Sequence, residues 1–302
     1  MLTKFGKRFL TAHVAGIVDF NSKDIAIGIA NGTDYPSADT NSRLGFEFFR
    51  LPVTLGSIDV QPDELGGYKY YAVYKATLPQ DVSGVIKEIG LYPGKRTSMN
   101  NYDSKYLSNF ENVLDWIDST GANPAQTNNT IVTPRIGDYT AEIRFGLIDT
   151  TNIAKEYKFA AGLVDISGYS VNDTITVAFN RFDTNSNKIR IKFYSSDIDY
   201  FYGDIDLTSL STGDYIKEVS MNTIFSSISG TPDASNITYI GIEVYRTSTS
   251  SNAYIYMDGL RINDEDTFDP TYGLISRSVL STPVTKVAGR PVDIEYRLEL
   301  SF

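Results

Sequence analysis

The chain has 302 residues, enough for two domains of ordinary size, and 41% of them are hydrophobic, as in a folded globular protein. Its net charge is −10, so it lacks the basic field that neutralises phosphate groups, and we expect no nucleic-acid binding. It has no cysteine, which excludes disulfides and thiolate sites, and it has no run of about 18 apolar residues, so we expect no insertion into a membrane.

Residues 1–92 are predicted to form strands and loops, because the many tyrosines, threonines and asparagines favour strands over helices. Residues 25–29 (IAIGI) predict a short apolar strand. A second strand is predicted at residues 44–53, where Pro52 should mark an edge or the end of the strand. Residues 68–78 alternate aromatic and small apolar side chains, as a strand within a sheet would.

Residues 84–94 read GVIKEIGLYPG. Val85, Ile89 and Leu91 have one strand parity, and Glu88 and Gly90 interrupt the other. The Pro-Gly pair at the end stops the run. The segment therefore predicts a half-buried strand followed by a turn. The next residues, 94–108, have the composition of a linker.

Regular strands follow in the middle of the chain, at residues 174–182, 188–194, 238–244 and 253–262. Each alternates apolar and polar side chains, the pattern of antiparallel strands with one face in solvent. Turn residues separate them, so we predict a β-sandwich. Residues 183–187 (DTNSN) begin like a calcium-binding EF-hand loop but lack its glycine and closing glutamate, so a hairpin loop is predicted there.

The end of the chain carries the clearest strand pattern. In residues 292–302 (VDIEYRLELSF) every second side chain is apolar and every intervening one is polar. Such a strand must bury one face, within its own chain or against a partner.

Catalytic groups are sparse. The chain has a single histidine, His13, and no nucleophile-elbow sequence. A glycosidase needs two carboxylates that converge across a cleft. The close acidic pairs are predicted to be solvated acids of turns and linkers, and we expect no enzyme activity, with a glycoside hydrolase as a remaining alternative; these pairs are Asp197/Asp199, Asp204/Asp206 and Asp264/Asp266.

Four tyrosines form a candidate glycan platform. If Ile240, Ile242 and Val244 face the core, strand parity turns Tyr239 and Tyr245 outward. Tyr254 and Tyr256 likewise lie opposite the apolar side chains of their strand. Sugars stack on aromatic faces, but cross-strand pairing or packing against a neighbouring subunit would also use such residues.

Two separated parts of the chain resemble one module. IAIGIANGT, RLGFEFFRLPV and TLPQDVSGVIKEIGLYPG, within residues 25–92, resemble the attachment module of phage tail-collar fibre proteins and related virion proteins. Residues 275–302 resemble the end of the same module. The resemblance implies a discontinuous assembly domain, residues 1–103 plus 268–302, that contacts other virion proteins as a homo-oligomer in a symmetric assembly. The apolar residues of 44–53, 85–91 and 292–302 are expected to mediate this assembly. Residues 85–91 and 292–302 should then share a domain.

The intervening residues 104–267 are similar to jelly-roll carbohydrate-binding modules. The similarity rests on four segments: NFENVLDW, VDISGYSVNDTITVAF, FDTNSNKIRIKFYSSD and AYIYMDGLRI. In that family an early acidic residue and an aspartate of the last strand often hold a structural calcium ion. Glu111 and Asp258 occupy those positions here, so the resemblance implies them as candidate calcium ligands, with two surface acids as the alternative. No other cofactor is expected.

Together these observations predict an all-β protein, a β-sandwich jelly roll inserted into a second small all-β domain. The expected function is that of a non-enzymatic phage virion structural protein, assembled in the host cytoplasm and localised in the virion. Tail collar, fibre base, baseplate and capsid surface all remain open as its position. Its jelly roll would contact host surface glycans. The alternative is a secreted or cell-surface glycan-binding module unrelated to a virion.

Overall fold

The computed structural model describes residues 1–16, 23–38, 40–64, 66–93, 105–127, 132–145, 153–263 and 273–300. The chain divides into two compact units. Unit 1 combines Met1–Asn101 with Thr267–Phe302, and unit 2 is Tyr102–Asp266. Strands dominate both units, and the predicted all-β class is confirmed. No helix in the described ranges is long and apolar enough to cross a membrane.

The elements follow one another along the chain in this order. The first group is α1 (Lys4–Val14), β1 (Lys23–Gly28), β2 (Glu47–Pro62), β3 (Tyr68–Leu78) and β4 (Gly84–Pro93). The second group is β5 (Lys105–Ser108), β6 (Trp116–Ile117), β7 (Ala125–Thr127), β8 (Thr140–Phe145), β9 (Ala154–Val164), β10 (Thr174–Arg181), β11 (Ser186–Tyr194), β12 (Tyr200–Asp206), β13 (Gly213–Ser220), α2 (Met221–Ser226), β14 (Ile228–Ser229), β15 (Ile237–Arg246) and β16 (Ala253–Asn263). The last two strands are β17 (Ser276–Lys286) and β18 (Val292–Leu300).

Unit 1 is built on one antiparallel sheet with the strand order β17-β4-β1-β2-β3-β18. The two strands from the end of the chain thus form its two edges. Leu91 of β4 pairs with Ser276 of β17, so the strands before and after unit 2 are hydrogen-bonded neighbours. Unit 2 is closed in the same way, because Ser108 of β5 pairs with Leu260 of β16. An insertion whose ends meet costs its host little.

The segments expected to mediate assembly, residues 44–53, 85–91 and 292–302, supply the core of unit 1. Their apolar side chains are largely buried, as Leu44, Leu91 and Leu298 illustrate. In β18 the predicted alternation holds from Asp293 to Glu299, with the even-numbered side chains buried; residues 301 and 302 lie outside the described ranges. These apolar side chains are therefore occupied inside their own unit and are not an exposed contact surface.

The N-terminal segment departs from the predicted strands and loops, because it forms helix α1. The Thr3 hydroxyl caps the helix by accepting from the Gly6 N–H at 2.9 Å. Phe5 and Phe9, one turn apart, stack with ring centroids 5.9 Å apart, and Phe9 is buried in the core of unit 1. The helix signals in the sequence are the N-cap Thr3 and the i, i+4 spacing of the two phenylalanines, and the basic residues between the phenylalanines obscure the second.

Pro52 does not end its strand but lies where one side of the strand is unpaired, so the edge position is the one of the two expectations that the structure shows. Strand β2 runs through it because the strand changes partner. Residues 47–53 pair with β1, and residues 54–62 pair with β3. At Pro52 only the β1 side of the strand is paired, so the missing N–H of proline breaks no ladder.

Unit 2 is the predicted β-sandwich. One sheet has the order β13-β10-β16-β8-β7, with β5 also beside β16; we call it the first sheet. The second sheet has the order β14-β12-β11-β15-β9-β6. The side chains predicted to face inward are fully buried between the sheets; they include Val177, Phe179, Ile189, Ile191, Phe193, Ile240, Ile242 and Val244.

The loop at residues 183–187 is not the predicted hairpin. Strand β10 before it belongs to the first sheet, and β11 after it belongs to the second. The loop therefore crosses the edge of the sandwich. The Asp183 carboxylate stabilises it by accepting from the Asn185 and Tyr254 N–H groups at 2.8 and 2.7 Å. Two successive amphipathic strands have the same alternating sequence pattern whether they pair in one sheet or face each other across a core. The pattern therefore could not distinguish a hairpin from a crossing between sheets.

Candidate functional site

The outward face of the second sheet carries an ordered grid of aromatic and charged side chains, which we call the tyrosine face. It extends over the four neighbouring strands β12, β11, β15 and β9. The pairing register arranges it in four rows: Tyr200, Tyr194, Tyr239 and Ala160; Tyr202, Lys192, Gly241 and Lys158; Asp204, Arg190, Glu243 and Glu156; and Asp206, Lys188, Tyr245 and Ala154. Each strand turns alternate side chains outward, so every position follows from parity.

The first row is aromatic. The rings of Tyr194 and Tyr200 lie with centroids 4.8 Å apart, and Tyr202 follows at 6.1 Å from Tyr200. Tyr194 is only 2% exposed, whereas Tyr239 at the other end of the row is 37% exposed. Tyr200, Tyr194 and Tyr239 lie on three adjacent strands. Because neighbouring strands are about 4.8 Å apart, the three residues form a row that runs across the strands.

Lys192 is the centre of a charge network on this face. Its ammonium group lies 3.4 Å from Glu156 and 2.9 Å from Glu243, and the residue is only 6% exposed. The Tyr194 hydroxyl donates to Glu156 at 2.6 Å, and the Tyr245 hydroxyl donates to Glu243 at the same distance. Burial and then these hydrogen bonds to carboxylates raise the pKa of Tyr194 and of Tyr245, so both remain neutral donors.

Arg190 and Asp204 form a second, bidentate pair. The guanidinium donates through Nε at 2.7 Å and through Nη2 at 2.9 Å. Burial alone would raise the pKa of Asp204, but Arg190 and Lys188 outweigh it and lower that pKa. The same guanidinium lies 4.1 Å from the ring centroid of Tyr202. Arg190 thus holds both the Tyr202 ring and the Asp204 carboxylate in place.

Gly241 leaves a gap in the grid that the Tyr194 ring fills. A Cβ atom at Gly241 would lie 2.9 Å from Cε2 of Tyr194 and 2.5 Å from Oε1 of Glu156. Any side chain there would displace both. The ammonium group of Lys158 also lies over this ring, 4.0 Å from its centroid. The face is thus pre-ordered by contacts among its own members.

The four tyrosines predicted as one platform do not share a face. Tyr239 and Tyr245 belong to the tyrosine face. Tyr254 and Tyr256 lie on β16, and they point outward from the first sheet, on the opposite side of the sandwich. There Phe182 contacts both rings edge-on, with centroids 5.9 and 5.7 Å away. Tyr256 is 1% exposed, so little of it is accessible.

Sequence reasoning missed several members of the tyrosine face. Asp204 and Asp206 were assigned to turns, but both lie on β12. The sequence pattern predicts no strand at Tyr200 and Tyr202, because β12 is short and follows an acidic turn. Their alternation with Phe201 and Gly203 was the available signal. The acids of the pair Asp197/Asp199 do lie before β12 in the turn, and Asp264/Asp266 falls outside the described residues.

Asp258 is buried and forms an ion pair with Arg135. Its carboxylate accepts from the backbone N–H of Arg135 at 2.9 Å and from Nε of Arg135 at 3.3 Å. Burial raises the pKa of Asp258 to about 6, against the opposing effect of Arg135. Arg135 also donates to the carbonyl oxygens of Phe179 and Tyr215, at 3.2 and 3.1 Å. Such carbonyls are ligands that calcium would use.

Glu111, the other candidate ligand, accepts from backbone N–H groups. Asp138 donates to it at 3.0 and 3.1 Å, and Tyr139 donates at 3.0 Å. Burial raises the pKa of Glu111, and these donors act against it. Within the described ranges, no three residues among Asp, Glu and His come together as a metal-binding group. Calcium at Glu111 and Asp258 stays a proposal.

No protein-family model and no curated protein matches the chain. Among solved structures, the family 11 carbohydrate-binding module from Clostridium thermocellum, in complex with a β-1,3-1,4-mixed-linked tetrasaccharide, is similar with 18% identity and a TM-score of 0.38, over 53% of this chain and 95% of that one. An exo-β-agarase matches with 11% identity and a TM-score of 0.37, over 53% of this chain and 25% of that one. The enzymatically active domain of tailspike protein 4 of bacteriophage CBA120 matches with 15% identity and a TM-score of 0.26, over 55% of this chain and 20% of that one. The chain thus spans about a quarter of the agarase it matches, and no ligand or activity follows from similarities of this size.

Proposed function

We propose that unit 2 binds a glycan through the tyrosine face. The observation that carries this proposal is the group of partly accessible tyrosines Tyr200, Tyr202 and Tyr239 around the buried Tyr194 ring, next to paired charges. A sugar offers an apolar ring face and a rim of hydroxyl groups. Tyrosine rings complement the first, and carboxylates, ammonium groups and phenol hydroxyls complement the second.

The paired charges support binding of a hydroxyl-rich ligand. Lys192 bridges Glu156 and Glu243 and offsets one of their two negative charges, and the remaining carboxylate oxygens can accept hydrogen bonds from sugar hydroxyl groups. The side chains are held before the ligand arrives, which reduces the entropy lost on binding. Single sites of this kind bind weakly, and many copies acting together raise the overall affinity.

A glycan array probed with the full chain tests this proposal. Tyr200→Ala, Tyr202→Ala and Tyr239→Ala should each weaken binding about tenfold or more. The matched control is Phe182→Ala, which removes a 46% exposed aromatic ring from the first sheet. If only the control variant lost binding, the site would lie on the first sheet. Absence of binding to every glycan on the array would contradict the proposal.

The tyrosine face is proposed as a binding surface and not as a hydrolytic site. Glu156 of β9 lies directly opposite Glu243 of the adjacent strand β15. A glycosidase also uses two neighbouring carboxylates. Both accept from the same Lys192 ammonium group, so neither is placed as a proton donor. Release of reducing sugar from a bound glycan, lost in Glu156→Gln and Glu243→Gln, would establish the hydrolase alternative.

We further propose that unit 1 attaches the protein to a phage virion, where the sugar-binding units project. The support is the resemblance of residues 25–92 and 275–302 to the two parts of a tail-collar attachment module. The experiment is immunogold labelling of purified phage particles with an antibody against unit 2. Regular decoration of tail or capsid is the expected result. Detection of the protein only in particle-free culture medium would favour the secreted glycan-binding module instead.

A further inference from the structure

Four basic side chains lie on the tyrosine face, and they differ in their partners. Three of them form ion pairs with carboxylates of the same face: Lys188, Arg190 and Lys192. Lys158 is the fourth, and no carboxylate in the described part of the chain forms an ion pair with it. Its ammonium group lies over the Tyr194 ring, 4.0 Å from the centroid. A contact with a ring face leaves hydrogen-bond donors of the ammonium group available to an anion.

The strand neighbours of Lys158 supply no negative charge in direct contact with it. In the pairing register, Gly241 of β15 lies on one side of it and Ile117 of β6 on the other. Along its own strand, Ala160 is uncharged, and the carboxylate of Glu156 is engaged elsewhere. One Glu156 oxygen accepts from a tyrosine hydroxyl at 2.6 Å, and the other lies 3.4 Å from the central lysine of the charge network. A ligand can therefore supply the counter-charge that these strands do not.

We propose that Lys158 makes the tyrosine face prefer a glycan with an anionic group, a carboxylate or a sulfate ester; this inference rests on the proposed function of the face. Tyr239 is 37% exposed and lies diagonally across from Lys158, and such diagonal neighbours are about 7–8 Å apart. A sugar ring stacked on Tyr239 therefore directs a substituent at its rim toward the ammonium group. Ala160, directly opposite Tyr239, is too short to block this path.

The net charge of the chain makes such a preference diagnostic. At −10 the protein repels a polyanion at long range, so general electrostatic attraction does not favour an acidic glycan. A preference for the acidic form must then come from a local cation. An uncharged sugar leaves the ammonium group of Lys158 solvated, whereas a carboxylate or sulfate forms a charge-assisted hydrogen bond with it. For a partly exposed pair we expect the acidic form to bind about threefold to fivefold more tightly.

A glycan array of matched pairs, probed with the full chain, tests this preference. Each acidic glycan is printed beside its uncharged form: polygalacturonate beside its methyl ester, sialyllactose beside lactose, and dextran sulfate beside dextran. The wild type should bind the acidic member of at least one pair about threefold to fivefold more tightly than the uncharged member. Because polygalacturonate and sialyllactose carry carboxylates and dextran sulfate carries sulfate esters, the pattern of binding identifies the anion.

Substitutions separate the effect of Lys158 from that of other cations. Lys158→Gln should remove the preference for the acidic member, and Lys158→Arg should keep it. The matched control is Lys217→Gln, because Lys217 also lies over a tyrosine ring, 5.6 Å from the Tyr215 centroid, but on the first sheet. This control should keep the preference. Thermal denaturation of each variant checks that its fold is intact.

Two results would overturn the inference about Lys158. One is equal or weaker binding of the acidic members by the wild type, and the other is an acidic preference that survives in Lys158→Gln. In both cases the protein still binds glycans, so the proposed function stands. The absence of binding to every glycan on the array would contradict both the inference and the proposed function.

Discussion

Glu88 and Arg277 are separated by 189 residues in sequence and joined by an ion pair of 2.8 Å. Glu88 is fully buried and Arg277 is 1% exposed. Glu88 also accepts from the N–H groups of Gly45 and Phe46, and Arg277 donates to the Tyr35 carbonyl oxygen. Burial raises the pKa of Glu88, and the Arg277 charge acts against it. The pair ties β4, β17 and the loop before β2 into one unit.

Removing one partner of this ion pair should strongly destabilise unit 1. Glu88→Gln leaves the Arg277 charge buried without a counter-charge, and the expected loss is about 3–5 kcal/mol of unfolding free energy. Replacing both residues by leucine should cost less than either single change. Urea unfolding checks this, with the fluorescence of Trp116 in unit 2 as an internal control. Equal losses in the single and double variants would contradict a coupled pair.

Unit 1 should fold without unit 2. The pairing of Leu91 with Ser276 makes β4 and β17 neighbours, so a loop of about four residues between Pro93 and Gly273 would turn them into a hairpin. We expect a cooperative thermal transition and a β-sheet circular dichroism spectrum from this shortened chain. An unfolded product would mean that unit 1 depends on contacts with unit 2.

Two hypotheses about Asp258 predict opposite effects of a chelator on the melting temperature. In one, Arg135 is its counter-ion; in the other, calcium binds at Glu111 and Asp258. If Arg135 is the counter-ion of Asp258, Arg135→Met should lower the stability of unit 2 by about 3–5 kcal/mol, and a chelator should leave the melting temperature unchanged. If calcium binds there, chelation should lower the melting temperature and added calcium should restore it. Differential scanning calorimetry with and without chelator decides between them.

Alkaline pH should destabilise unit 2 through Tyr256. Burial, followed by the charge of Glu142, raises the pKa of Tyr256 from 10 to about 12. Between these values the unfolded state loses the proton and the folded state keeps it, so stability falls as pH rises from 10 to 12 and levels off above. Tyr256→Phe should lose less stability over the same range. A phenolate absorbance titration with a midpoint near 10 would contradict the raised pKa.

The tyrosine face should depend on its central lysine. Lys192→Met leaves the partly buried Glu156 and Glu243 close together with only their tyrosine hydroxyl donors, and a loss of about 1–3 kcal/mol in the stability of unit 2 is expected. A matched change at the partly exposed Lys217, on the first sheet, should have little effect. Chemical denaturation of the two variants measures the difference.

Local patterning in the sequence determined the all-β class, the positions of β3, β11, β15 and β18 and the inward parity of their apolar side chains, because a strand with one buried face must alternate. Tertiary structure decided the rest. It placed Tyr239 with Tyr200 on one sheet and Tyr254 on the other, and it buried Glu88 against Arg277 from the far end of the chain. Which strands pair depends on contacts between residues distant in sequence, and parity contains no information about the partner.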